Sequence, residues 1–290
     1  MIKRVFIYSI FVGFLSILMA QPVVPQGEFS KKLKEKSGEI GKFINRKESF
    51  PKDYFLVNNN LPFLAGLSLH HPKSSSLELT KEQIKSIQKI KKNTVPTVVK
   101  KSKEIKILEL KLAQNIAIDS NSAKSQFEIV DAISKLRTEL TKAHLVCINE
   151  VRAVLTKKQY QKLLKYATNL VKPKSNKFKI DELVILPHPG KSIKMGKIQI
   201  TKGQKQKINK EVKAVYAPKF QEKSREAFKL EKKVQRLVEQ GKTNKELKQL
   251  LDKIAKLKRD AIDSRIDALN HIQTILTKEQ WVQVNKLTYK

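Results

Sequence analysis

Side chains able to do chemistry are few in this sequence. Five histidines (His70, His71, His144, His188, His271) and one cysteine, Cys147, are the groups suited to bind a soft metal ion or attack an electrophile. His71 and His188 make the most suggestive pair. Each precedes a proline within similar strings, Leu69-His70-His71-Pro72 and Leu186-Pro187-His188-Pro189. Two imidazoles at matched positions would suit a soft divalent ion; the competing reading is a turn histidine positioned by its proline. No His-x-x-x-His, cysteine pair or methionine cluster accompanies them. His144 falls beside an apolar stripe and reads as a packing residue. Cys147 has no partner for an intramolecular disulfide and sits at a core position, where it acts as a small hydrophobe. The sequence contains no Gly-x-Ser-x-Gly, no glycine-rich phosphate loop and no His-Glu-x-x-His, so it is not expected to be an enzyme. No cofactor is expected beyond that one metal ion.

Charge is the larger signal. Sixty Lys and Arg oppose 27 Asp and Glu, a formal net charge of +33. Such a surface inside a cell would point to nucleic acid, but the N-terminus argues for export. Lys3 and Arg4 precede an apolar run from Val5 to Met19, and Ala20 offers a small residue for cleavage. Residues 1–20 therefore read as a signal peptide, with an uncleaved anchor as the alternative; no cysteine near Ala20 offers a lipid anchor. Outside the inner membrane the available polyanions are acidic proteins, anionic lipids and envelope polymers. The expected partners are unfolded or acidic envelope proteins, a sensor kinase or an anionic envelope surface, not nucleic acid. Self-association is left open.

The elements that must carry this charge emerge from an internal repeat. Four strings match: Leu79-Thr80-Lys-Glu-Gln83, Leu155-Thr156-Lys-Lys-Gln159, Ile200-Thr201-Lys-Gly-Gln204 and Leu276-Thr277-Lys-Glu-Gln280. Within each pair the threonines lie 76 residues apart, and the pairs are offset by 121. The same offset maps Ile129, Ile133, Leu136 and Leu140 onto Leu250, Ile254, Leu257 and Ala261. A one-residue slip then aligns Ser102-Lys-Glu104 with Ser224-Arg-Glu226. Thr-x-x-Gln is a capping box: Thr caps the third helical amide and Gln reaches back to the Thr amide. The apolar residue before each Thr can staple onto the residue after the Gln, as Leu155 onto Tyr160 and Leu276 onto Trp281. The third box is weaker here, because Lys205 follows its Gln.

Apolar periodicity predicts a helix from Thr80 to about Asn115, kinked by Pro96 near Thr94, with Pro218 the equivalent in the second copy. A helix of roughly 32 residues, about 48 Å, is predicted from Ala123 to Val154, and a short one from Lys157 to Leu170. Gly241 suits a helix C-terminus. The domains are residues 1–20 (signal peptide), 21–76 (N-terminal extension), 77–171 (first copy), 172–197 (linker) and 198–290 (second copy). Ser30 to Ile44 suggests a weak basic helix, and Phe50 to Leu69 is apolar enough to pack on the helices.

These strings, at both ends of a kinked-helix and long-helix unit behind a signal peptide, resemble the LTxxQ family of periplasmic proteins, the Spy/CpxP-like group. The resemblance covers most of residues 77 to 290. It implies an all-α fold of bent helical hairpins that dimerise as an antiparallel, basic cradle. It also implies ATP-independent chaperone activity, restraint of a stress-sensing kinase, or heavy-metal resistance. Two units occupy one chain here, so the copies are expected to pack on each other as a pseudo-dimer. The expected function is capture of unfolded envelope clients on a basic amphipathic surface. A metal-responsive stress sensor and a structural binder of envelope polyanions are the alternatives. Candidate client contacts are Lys89, Lys91, Lys92, Lys100, Lys101 and Lys103 in the first copy, and Lys213, Lys219, Lys223, Arg225 and Lys229 in the second.

Overall fold

A computed structural model describes residues 55–57, 61–170, 184 and 186–289. The expected signal peptide, the expected basic helix at 30–44 and residues 172–183 of the expected linker lie outside these, while the rest of that linker includes a short helix, Pro189–Lys194. The described residues are helical and contain no strand. In chain order the helices are α1 (Leu64–His70), α2 (Lys81–Ala117), α3 (Phe127–Val154), α4 (Lys157–Leu170), α5 (Pro189–Lys194), α6 (Lys202–Lys207), α7 (Ala214–Glu239), α8 (Asn244–Ile275) and α9 (Lys278–Tyr289). None is long and apolar enough to cross a membrane.

The four capping boxes all form. Thr80, Thr156, Thr201 and Thr277 each accept from the amide of the Gln three residues on, at 3.1–3.2 Å. Each Gln in turn accepts from its threonine amide, at 2.8–3.0 Å. Lys205 in place of an apolar staple leaves the third box's hydrogen bonds unchanged. A further box, Thr243 with Glu246, starts α8.

Both prolines sit inside continuous helix, Pro96 in α2 and Pro218 in α7. The one-residue slip has a physical location. Between α6 and α7 the helix runs through a π segment, Ile208–Lys213, which absorbs one extra residue without breaking the helix. Downstream of it the equivalent core positions are therefore offset by 122. The register is restored at the hairpin turn. There Gly241, at φ 88°, closes α7 with Lys242 N–H donating to Leu237 O at 2.9 Å, while the first copy uses Ser120 at φ 57°.

Within each copy the first and second helices pack as a hairpin, α2 on α3 and α7 on α8, and α3 also packs on α8. Two apolar cores result, and each draws on both copies. One joins the tip of the first hairpin (Leu112, Ile116, Ile129, Ile133) to Ile266, Ile272, Trp281 and Val284. The other joins the tip of the second (Val234, Val238, Leu247, Leu251) to Leu145, Val151, Tyr160 and Leu163.

Candidate functional site

The capping glutamines do more than cap. Gln83 Nε2 donates to Gln159 Oε1 (2.9 Å) and to Val154 O (2.9 Å), and Gln159 Nε2 donates to Leu77 O (3.1 Å). In the second copy Gln204 Nε2 donates to Gln280 Oε1 (2.9 Å) and Ile275 O (2.9 Å), and Gln280 Nε2 to Gln199 O (2.8 Å). Each pair of motifs thus clasps the start of its copy's first helix to the start of its last. The equal 76-residue spacing was the available signal for this pairing.

Contacts between copies are reciprocal. Trp281 Nε1 donates to Ala117 O (2.8 Å) at the end of α2, and Tyr160 OH donates to Glu239 O (3.3 Å) at the end of α7. These are matched residues satisfying matched carbonyls that a helix end leaves open. Asn270 reaches Asn121 O (3.0 Å) as Asn149 reaches Lys242 O (3.5 Å). An ion pair, Arg259 to Asp131 at 2.6 Å, joins α8 to α3.

Two buried ion pairs form a polar waist inside the apolar interior. Arg137 pairs with Glu109 and Lys258 pairs with Glu231, each at 2.5 Å and each at most 4% exposed. The pairs occupy matched positions in the two copies. Phe55, Leu56 and Val57, each 1% exposed, cross this waist as a strap. Leu56 N–H donates to Thr141 Oγ1 (2.8 Å) and to Arg137 O (3.2 Å), and Val57 N–H also donates to Thr141 Oγ1 (3.3 Å). Lys258 Nζ of the second copy donates to Leu56 O. The described part of the apolar stretch at 50–69 is therefore core, packed as expected.

His144 is buried under this strap. Its ring stacks on Phe63 (4.5 Å) and lies 5.0 Å from Phe55, and its Nε2 donates to Pro62 O at 3.2 Å. Burial pushes its pKa down to about 4. At the matched position Arg265 donates to Pro187 O at 2.6 Å. The strings preceding the two copies are therefore paired differently from the sequence expectation. Leu61-Pro62-Phe63 corresponds to Leu186-Pro187-His188, so His188 matches Phe63 and not His71. His71 stacks on Tyr166 (4.7 Å), with its Nδ1 accepting from Lys73 N–H. His188 Nδ1 lies 3.4 Å from the Arg265 guanidinium, a poor neighbour for a metal cation. Among the described residues no group of three or more His, Cys, Asp or Glu side chains is placed to hold a metal ion. Cys147 is half-buried, and burial pushes its thiol pKa up.

Most of the basic candidates are exposed. Lys89, Lys91, Lys92, Lys100 and Lys103 lie open on α2, as do Lys219, Arg225 and Lys229 on α7 and Lys213 just before it. Lys101 and Lys223 differ: they are half-buried in matched ion pairs, with Glu139 and with Asp260 (3.3 Å), and hold the hairpins together. Composition could not mark the apolar side chains among the cations. Val99 is 37% and Ile107 52% exposed. At spacings of four, Val99, Lys103 and Ile107 share one side of α2. The matched side of α7 carries Gln221, Arg225 and Lys229 instead. Set against known proteins, the chain matches no family model, no curated protein and no solved structure, so the LTxxQ resemblance rests on the repeated strings themselves.

Proposed function

We propose that the chain is an exported, ATP-independent chaperone-like protein whose α2 face holds acidic, partly unfolded envelope polypeptides. The observation that carries this reading is the exposed pair Val99 and Ile107 set among Lys92, Lys100 and Lys103. Unpaired cations attract acidic chains over about one Debye length, ~8 Å at physiological salt. Exposed apolar side chains beside them then retain apolar segments. We also read the two copies as a pseudo-dimer of LTxxQ-like hairpins within one chain. Supporting this, the matched contacts of Trp281 and Tyr160 are those of an isologous interface.

The test is light scattering of an aggregating, denatured acidic client with stoichiometric protein and no nucleotide, at low and moderate salt. Wild type is expected to suppress scattering, less so as salt rises. Val99→Ser/Ile107→Ser is expected to lose most of the suppression while keeping its charge. Equal suppression by wild type and this variant would favour the polyanion binder, in which charge alone acts. No suppression by wild type at either salt would refute the chaperone reading.

A further inference from the structure

The strap at the waist is bound much as a peptide is bound. Three consecutive residues are fully buried between two helical units, and both units hold their main chain. The first copy contacts the Leu56 and Val57 amides through Thr141 and the Arg137 carbonyl, and the second holds the Leu56 carbonyl through Lys258. Such contacts read backbone and not sequence. The side chains supply the apolar part: Phe55 enters one core, Leu56 and Val57 the other. The floor beneath is costly as permanent core. Two buried ion pairs stand where apolar residues would pack at least as well, since desolvating four charges offsets most of their attraction. A charged floor suits a groove that water re-enters when its occupant leaves.

We propose that the groove between the two copies is a second client site, for short bent segments of aromatic and branched aliphatic residues, and that Phe55–Leu56–Val57 occupies it in cis. This inference rests on the chaperone reading and adds its regulation: the strap competes with clients, so the resting protein is partly self-inhibited. A groove open one per cent of the time weakens an outside ligand about 100-fold.

The probe is a fluorescein-labelled decapeptide containing Phe-Leu-Val between glycine and aspartate residues, titrated by fluorescence anisotropy against the full chain. Phe55→Ala/Leu56→Ala/Val57→Ala is expected to bind it at least tenfold more tightly than wild type. Adding Thr141→Val, which removes the acceptor for the strap amides, is expected to reverse most of that gain. Because the triple variant could fail to fold, wild type carries an independent reading. Saturating peptide should accelerate hydrogen exchange at the Leu56 and Val57 amides by displacing them, leaving the helix cores protected. A folded triple variant that binds no more tightly, or strap amides indifferent to saturating peptide, would overturn the proposal and identify the strap as fixed core. Aggregation assays on the same samples separate the two readings. Suppression without peptide exchange sinks only the groove, whereas peptide exchange without suppression sinks only the chaperone function.

Discussion

His144 makes the N-terminal strap acid-sensitive. Its Nε2 donates to Pro62 O, so in the neutral ring Nδ1 carries no proton, and Nδ1 is buried without a hydrogen-bond partner among the described residues. Protonation would put an uncompensated cation between Phe55 and Phe63, which is why burial lowers its pKa from 6.5 to about 4. The sign follows from linkage. The unfolded chain takes up this proton near pH 6.5 and the folded one only near pH 4, so the contribution to stability is complete above pH 6.5 and drains away as pH falls. At 1.36 kcal/mol per pH unit, the loss reaches about 2 kcal/mol by pH 5 and about 3 kcal/mol by pH 4. Asp263 works in the opposite direction over part of this range. Burial, opposed by the Arg259 guanidinium at 2.7 Å but reinforced by Asp260, Asp131 and Asp267, lifts its carboxyl to about 6, so it favours the fold in acid and ceases to as pH rises through 6. The raw pH profile therefore mixes both groups, and the comparison must be with a variant that keeps Asp263. His144→Gln retains a donor for Pro62 O and does not titrate. Urea unfolding followed by Trp281 fluorescence, at steps from pH 7.5 to 4, should show wild type losing about 2 kcal/mol more than the variant by pH 5. Parallel curves for the two proteins would refute a neutral, strap-covered His144.

Two further outcomes follow from the repeat's geometry. Gln83→Glu should destabilise the protein by about 1–2 kcal/mol in urea, because a carboxylate keeps the cap but loses the donor to Val154 O and Gln159 Oε1; stability equal to wild type would mean that the motif only caps. Deletion of Lys210 from the π segment should turn it into plain α-helix with the downstream core in place, so thermal denaturation should shift little, whereas deletion of Lys92 from α2 rotates every following core residue by about 100° and should unfold the first hairpin.

The helix starts were legible because a capping box is local: four residues contain both partners of both hydrogen bonds. The duplication was legible because matched strings recurred at matched spacings, and even the one-residue slip was visible before the π segment explained it. Periodicity also located α4 and the end of α3, but α3 begins at Phe127 and not Ala123, after a 3-10 turn at Lys124–Gln126. It could not say that Pro96 and Pro218 would stay within continuous helix, since that depends on what tertiary packing does for the carbonyl four residues before each proline. The clasp between glutamines was hidden because Nε2 is spare in an isolated box and finds its acceptors only when two helix starts meet.

The waist was hidden for a different reason. Charged residues on a basic helix read as solvated, and only position argues otherwise. Arg137 falls between Ile133 and Leu140, and Lys258 between Ile254 and Ala261, both within apolar stripes and matched across the copies. The strap itself has no period, because a bent segment between two helical units contacts apolar groups on both sides. One strap crossing a reciprocal interface cannot treat both copies alike, so the residues that meet it must differ between copies wherever they touch it. They do: Thr141, which accepts both strap amides, stands opposite Ile262; Lys258, which holds the strap carbonyl, stands opposite Arg137; and His144, under the strap aromatics, stands opposite Arg265. At these three positions the difference between the copies coincides with contact to the segment that breaks the symmetry. The outer faces differ as well: the exposed Val99 and Ile107 of α2 occupy the positions matched by Gln221 and Lys229 on α7, where the exposed apolar residue is Val215 instead.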